Sequence, residues 1–350
     1  MAKFCIFCGN PPQDKNKEHV LPQWLSKHTG RFHKVCNLGS VTDANITFSA
    51  LTFPACTACN DKFGKLEAEV KPILLDLMDS KPLNAEQINT LLDWFDKIRV
   101  GLWLSKLTLS KQVENIGPKF YIADRVGTKD RMLIIERLDN MGKGLSFAGL
   151  ESDMFSEMPS VFMFIINDFV FINASELGLT ANKLGFPQVG KMECTEHPDL
   201  HSMSLTPGRN KTTHPVVADC QASPTRTIIY QPIFRSVHNF DKMSMYNTPY
   251  VMNHSLDFNK GVGGIFYQRN NNEIKYLSGD KRVTLAPRAQ DVSRIYDLIE
   301  ETHKLQNYVF NSRVKLDGLD KRELFYWKKL MAENEVFIER ARQVVKIKSR

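Results

Sequence analysis

The sequence has no uninterrupted apolar run of the roughly 20 residues that a membrane-spanning helix needs. It also lacks a phosphate-binding glycine loop. Gly261-Val262-Gly263-Gly264 precedes a strand pattern rather than a helix and so fails the context test for such a loop. No internal repeat or low-complexity tract is present. Histidine is absent between His33 and His197, and cysteine is scarce, with seven in 350 residues. Four of the seven sit in two close pairs, which speaks for a metal site in a reducing compartment rather than a disulfide framework. The first pair begins at Cys5, directly after Met1-Ala2-Lys3-Phe4. The expectation is a cytoplasmic chain with no secretory leader and no membrane contact.

What is present is an ordinary globular mix, 42% hydrophobic and 24% charged, over a length that suits two or three domains. The net charge of +7 suits a polyanionic partner, although proteins that touch no nucleic acid carry similar charge. The charge is uneven: residues 321–350 hold nine Lys and Arg against four Glu. That excess reads either as a solvated helix face or as a phosphate-binding surface.

The two pairs are Cys5-Ile6-Phe7-Cys8 and Cys56-Thr57-Ala58-Cys59. Each Cys-x2-Cys turn places two thiols on one side of a tight loop. Together Cys5, Cys8, Cys56 and Cys59 supply four soft ligands, the donor set of a closed structural zinc site. The segment between the pairs, residues 9–55, is too long for a compact zinc finger and must carry structure of its own. The plain alternative is four reduced core thiols.

Lys17-Glu18-His19-Val20-Leu21-Pro22 lies inside that segment. It reads as a short strand ended by Pro22. Adjacent strand residues face opposite sides, so Glu18 and His19 are expected to serve neighbouring parts of one site. After the second pair come Asn60 and a helix over residues 61–79, with Asn60 or Asp61 as N-cap. Phe63, Leu66 and Val70 recur at helical spacing, Glu67 lies about two turns in, and Pro72 is a candidate kink.

In this order, Cys-x2-Cys, Glu-His-Val-x-Pro, Cys-x2-Cys-Asn and Leu-Glu resemble the HNH endonucleases of the ββα-metal (His-Me finger) group, over residues 1–75. The resemblance implies a zinc-stapled ββα domain that hydrolyses phosphodiester bonds with one divalent metal. His19 matches the general base, Glu18 the metal-binding residue before it, and Asn60 the middle Asn that braces the loop. Many members carry a last histidine on the helix; here Glu67 is the best replacement, with Glu69 and Asp61 as fallbacks. Two carboxylates, Glu18 and Glu67, would favour Mg²⁺ or Mn²⁺ as the catalytic ion. The implied partner is nucleic acid, DNA before RNA. For His19 the alternative is an ordinary surface or core histidine, and for Glu67 a solvated helix residue.

Beyond this region the chain reads as α+β. A long helix over residues 84–111 carries Leu91, Leu92, Phe95, Ile98, Leu102 and Leu109 on an apolar face. The expected division is a nuclease domain at 1–75, connecting helices at 76–115 and a larger α+β domain at 116–350, with the second boundary near residues 114–119. Strands are expected at 120–122 and 131–138, a glycine-bearing surface loop at 139–159, and hairpins over 161–172 and 264–277. A polar loop is expected at 193–226; within it Cys194, His197, His201 and Cys220 are a weak second zinc set. Two amphipathic helices, 290–309 and 319–346, would cover the sheet or pair with a second copy of the chain.

The expected function is a metal-dependent HNH endonuclease, a defence or restriction effector controlled by a ligand or partner at the C-terminal region. The rival is a non-catalytic zinc-ribbon module that binds nucleic acid or protein, which needs the cysteines but not Glu18, His19 or Glu67.

Overall fold

The computed structural model describes all residues except 1–4, 6, 9, 11–15, 37–45, 111–129, 176–180, 182, 187, 195–200, 207–219, 233–262 and 349–350. The chain opens with β1 (Lys17–His19), paired antiparallel with β4 (Thr52–Pro54), so that Glu18 faces Phe53 and His19 faces Thr52 in register. Between them lie α1 (Gln23–His28) and a short antiparallel pair, β2 (Val35–Cys36) with β3 (Ile46–Thr47). The strand stops at His19, short of the expected end at Pro22, which instead stands at the N-cap of α1, where its missing N–H costs nothing.

Directly after β4 the chain enters α2 (Thr57–Met78). The helix starts earlier than the sequence suggests. Cys56, not Asn60 or Asp61, is the N-cap, because the second cysteine pair is itself wound into the first turn. Asn60 therefore lies within the helix, its N–H bonded to Cys56 O at 3.0 Å. Pro72 is accommodated without ending the helix.

The next helix, α3 (Ala85–Leu109), starts at a capping box: the Asn84 side chain accepts from Gln87 N–H, and the Gln87 side chain accepts from Asn84 N–H. Its central turns are buried on all sides. One side meets α2 and the β1–β4 unit, and the other meets a large sheet.

That sheet has the order β13-β12-β11-β5-β8-β7-β6. Its strands are β5 (Arg131–Leu138), β6 (Leu145–Ala148), β7 (Val161–Ile166), β8 (Phe169–Ala174), β11 (Arg226–Gln231), β12 (Ile265–Arg269) and β13 (Asn271–Leu277). These pair antiparallel, while the short β14 (Ala289–Gln290) lies parallel against the end of β5. The hairpin at 161–172 is central, and its turn uses Asn167 at φ 55. Alternate residues divide between two cores. Phe162, Phe164, Phe169 and Phe171 face α3, whereas Met163, Ile165, Val170 and Ile172 face α5 (Arg294–Arg313). Phe95 of α3 lies 5.1 Å from Phe171 between ring centroids. Each such side chain contributes about 1.5–3 kcal/mol of burial.

The expected loop at 139–159 instead holds the edge strand β6 and α4 (Asp153–Glu157). Its glycines flank these elements: Gly142 and Gly144 precede β6, and Gly149, at φ +90, follows it. The expected loop at 193–226 includes part of a hairpin of β9 (Gln188–Cys194) and β10 (His201–Thr206), and the start of β11. The strand expected at 120–122 and the boundary expected at 114–119 fall outside the described residues.

Of the two terminal helices, α5 covers the second face of the sheet through Leu298, Leu305 and Val309. The last, α6 (Lys321–Lys348), packs on α5 and α4. Lys321, Arg322, Lys328, Lys329, Arg340 and Lys346 lie on its exposed side. The architecture is mixed α+β: six α-helices among the described residues and mainly antiparallel sheets. No helix there is long and apolar enough to cross a membrane.

Candidate metal centre and active site

The four cysteines of the two pairs come together. Their sulfurs lie within 4.8 Å of one another, and Cys8 Sγ is 3.7 Å from Cys56 Sγ. A tetrahedron with metal–sulfur bonds of about 2.3 Å has edges of about 3.8 Å, so the spacing suits zinc. Local bonding shapes the pocket: Cys5 N–H donates to Asn10 O at 2.7 Å, and Cys56 caps α2. The Phe7 ring sits 4.3 Å from that of Phe63, seating the first pair on the helix. Burial and the neighbouring thiols push the Cys59 thiol far above its ordinary value. Burial also pushes the Cys8 thiol up, whereas at Cys5 burial is outweighed by backbone donors, which hold that thiol below its ordinary value. Four cysteines so arranged can hold a metal such as zinc.

The second feature lies between β1, α2 and α3. Glu18 on β1 and Glu67 on α2 both point at the Lys97 ammonium of α3, at 2.8 and 2.6 Å. Lys97 Nζ also donates to His19 O at 2.9 Å and to Val20 O at 3.1 Å. An ammonium has three protons, and Glu67 and the two carbonyls use them all. Glu18 Oε1 is consequently held by charge alone: it is buried and lacks an aligned hydrogen-bond donor despite the short contact. Burial pushes the Glu67 carboxyl up, with the Glu18 charge adding and Lys97 opposing.

His19 turns to the other side of the strand. Its Nε2 lies 2.7 Å from the Gln23 amide, and its Nδ1 is buried with no partner. Burial first, and the Lys97 charge second, lower the tendency of the ring to protonate. Asn60 is half-buried on α2, and Asp61 and Glu69 are exposed. Glu18 and Glu67 converge as a pair, and His19 does not complete a three-ligand cluster with them. The cysteines form the one cluster of three or more such ligands among the described residues. Of the weak second zinc set, His197 lies outside the described residues.

Lys97 is the residue that reading the sequence missed. Its signal was present: Asp96, Lys97 and Arg99 interrupt the most apolar stretch of α3, and charged side chains in such a place are buried only when paired. Asp96 and Arg99 are paired on the sheet side. Arg99 donates to Asp96 at 2.8 Å, to Asn173 at 2.8 Å and to Pro159 O at 2.6 Å. Arg131 of β5 bonds Asp93 and Asp96, and reaches Gln231 at 2.6 Å.

Close approach completes the arrangement. A Cβ on Gly101, one turn after Lys97, would stand 3.0 Å from Val20 Cγ1. The glycine thus lets the end of β1 lie directly on α3. Comparison with family models, curated proteins and solved structures finds no match for this chain.

Proposed function

We propose that the chain is a metal-dependent endonuclease of the HNH type, hydrolysing phosphodiester bonds in nucleic acid, DNA before RNA. One observation carries the reading. Glu18 on β1 and Glu67 on α2 converge on one cation, and His19, next to Glu18 but turned to the opposite side of the strand, keeps an unused ring nitrogen. The antiparallel β1–β4 pair, with α1 and the β2–β3 pair between its strands, is followed by α2, an order that supports a ββα reading.

The donor set suits a hard divalent cation. Mg²⁺ binds through one or two carboxylates and completes its shell with water and substrate phosphate; Glu18 and Glu67 would hold it. Bound there, such an ion supplies positive charge against the scissile phosphate and the leaving oxygen. The chain's own residues do the rest. Turning the Gln23 amide places its oxygen to accept from Nε2–H of His19, which leaves the Nδ1 lone pair bare. Nδ1 is buried, so the ring must first open to the site before it can take the proton of the attacking water; a ring kept neutral by burial suits that task. Asn60 braces the segment beside the cysteine cluster. The basic exposed side of α6 and the exposed Lys27, Arg31 and Lys34 supply phosphate contacts. The large sheet and its helices govern when and where cutting occurs, as in a defence or restriction effector.

The second reading is a non-catalytic zinc module binding nucleic acid or protein. It is favoured by the Lys97 ion pairs, which set a cation against both carboxylates without any metal. Cleavage of plasmid and of single strands in Mg²⁺ or Mn²⁺, by wild type and His19→Ala at equal zinc content, separates the two. The nuclease reading expects cutting by wild type alone. Binding without cutting in either metal supports the module.

A further inference from the structure

We propose that Lys97 is the resident cation of the Glu18–Glu67 pair, and that its ammonium must leave before a divalent metal can bind there. The inference rests on the metal-site reading above and adds to it a competing group supplied by the chain itself. Lys97 has no solvent-exposed side-chain surface, and its Nζ lies within 2.8 Å of both carboxylates. A metal bound between the same two oxygens would occupy the space the ammonium now fills. The two cations compete for one position.

The rest of the environment favours displacement of the side chain over movement of the helix. Residues flanking Lys97 are fixed from the other side: Asp96 by Arg99 and Arg131, and Arg99 by Asn173 and Pro159 O. Gly101 holds the next turn against Val20. Lys97 also carries His19 O and Val20 O, so its departure frees two carbonyls at the end of β1. Loading the metal and loosening the backbone of His19 are therefore one event. The device places one positive charge between two buried carboxylates while no metal is present, and it sets the metal concentration at which the site fills.

The test uses the full chain with its cysteine site loaded with zinc, and Mn²⁺ as the probe. Binding is followed by the paramagnetic resonance signal of free Mn²⁺ in wild type, Lys97→Met and Lys97→Met/Glu67→Gln. Competition predicts that Lys97→Met binds Mn²⁺ about tenfold or more tightly than wild type, a coupling of ordinary size, and that Glu67→Gln removes the gain. Equal or weaker binding by Lys97→Met overturns the proposal. If Lys97→Met does not fold, wild type alone decides. Acetylation read by mass spectrometry should find Lys97 protected without Mn²⁺ and modified at saturating Mn²⁺; protection in both states overturns the proposal. Wild type that cuts with Mn²⁺ while Lys97→Met gains no affinity would leave the nuclease reading standing and the displacement wrong. Mn²⁺ binding to no variant, together with no cleavage, would remove both.

Discussion

Glu67 of α2 and Lys97 of α3 meet at 2.6 Å, and through that contact the helix that follows the second cysteine pair is tied to the helix that carries the large sheet. The two helices are successive in the chain, yet the contact also reaches back to β1, because the same ammonium holds His19 O and Val20 O. The candidate site is thus not confined to the segment with the recognisable motifs. It is closed by a residue outside that segment.

The cysteine cluster makes the first prediction. Structural zinc sites contribute about 10–16 kcal/mol of binding free energy that is spent on folding. Cys59→Ser, or a strong chelator, should release the metal, lower the melting temperature and unseat Phe7 from Phe63. Metal analysis with thermal melting checks this. A chain that stays equally stable after losing all four-cysteine metal would show that the cluster is only a group of core thiols.

Gly101→Ala tests the close approach of β1 to α3. The helix gains about 1 kcal/mol from replacing glycine, but the new methyl meets the stiff, buried Val20 at 3.0 Å. Overpacking costs about 1–3 kcal/mol. A net loss of about 1 kcal/mol in denaturant unfolding is expected, with a larger proportional loss of any cleavage activity because His19 adjoins Val20.

The polar layer between α3 and the sheet should be costly to break. Asp96→Ala leaves Arg99 and Arg131 buried with a partner removed. Breaking such a pair costs about 3–5 kcal/mol. Urea unfolding should show a loss of that size, and replacing the exposed Asp139, past the far end of β5, by Ala should show almost none.

How much of this was legible in the sequence follows the range of the forces. The capping box at Asn84 and Gln87 is local, so the start of α3 could be placed to within a residue. The hairpin over 161–172 was readable because apolar side chains on both faces demand a covered central position, and both cores are there. β6 was not readable: its Leu145-Ser-Phe-Ala sequence is short and set among glycines, and it becomes a strand only by pairing with β7. The cysteine cluster was readable from spacing, whereas the Lys97 contacts depend on how α3 lies against β1, which no local pattern encodes. The early start of α2 was hidden because a cysteine makes an unusual cap.

An acid limb to stability is expected from the joint between α5 and α6. Glu300 accepts from Lys304 at 2.6 Å and from Arg342 at 3.0 Å. Burial pushes its carboxyl up, but these two cations outweigh it and hold the pKa below the ordinary 4.5. A depressed acid stabilises the fold above its unfolded value, and the contribution is lost as pH falls through the folded one. The pair is largely solvent-screened, so the effect is about 0.5 kcal/mol or less. Wild type should melt slightly above Glu300→Gln at pH 7, and the gap should close as the pH drops below 4.5. A gap independent of pH would mean that Glu300 acts by packing alone.

The central claim, that Glu18, His19 and Glu67 form a phosphodiesterase site, is tested most directly by single-turnover cleavage of one labelled DNA substrate in Mn²⁺. Wild type, His19→Ala and Glu67→Gln would be compared at matched zinc content. The account predicts that wild type cuts and that His19→Ala is slower by about 10²–10⁴-fold, the range for loss of a general base. It predicts a comparable loss for Glu67→Gln, with substrate binding retained in both variants. Equal cutting by all three proteins, or none by any of them despite tight binding, would contradict it.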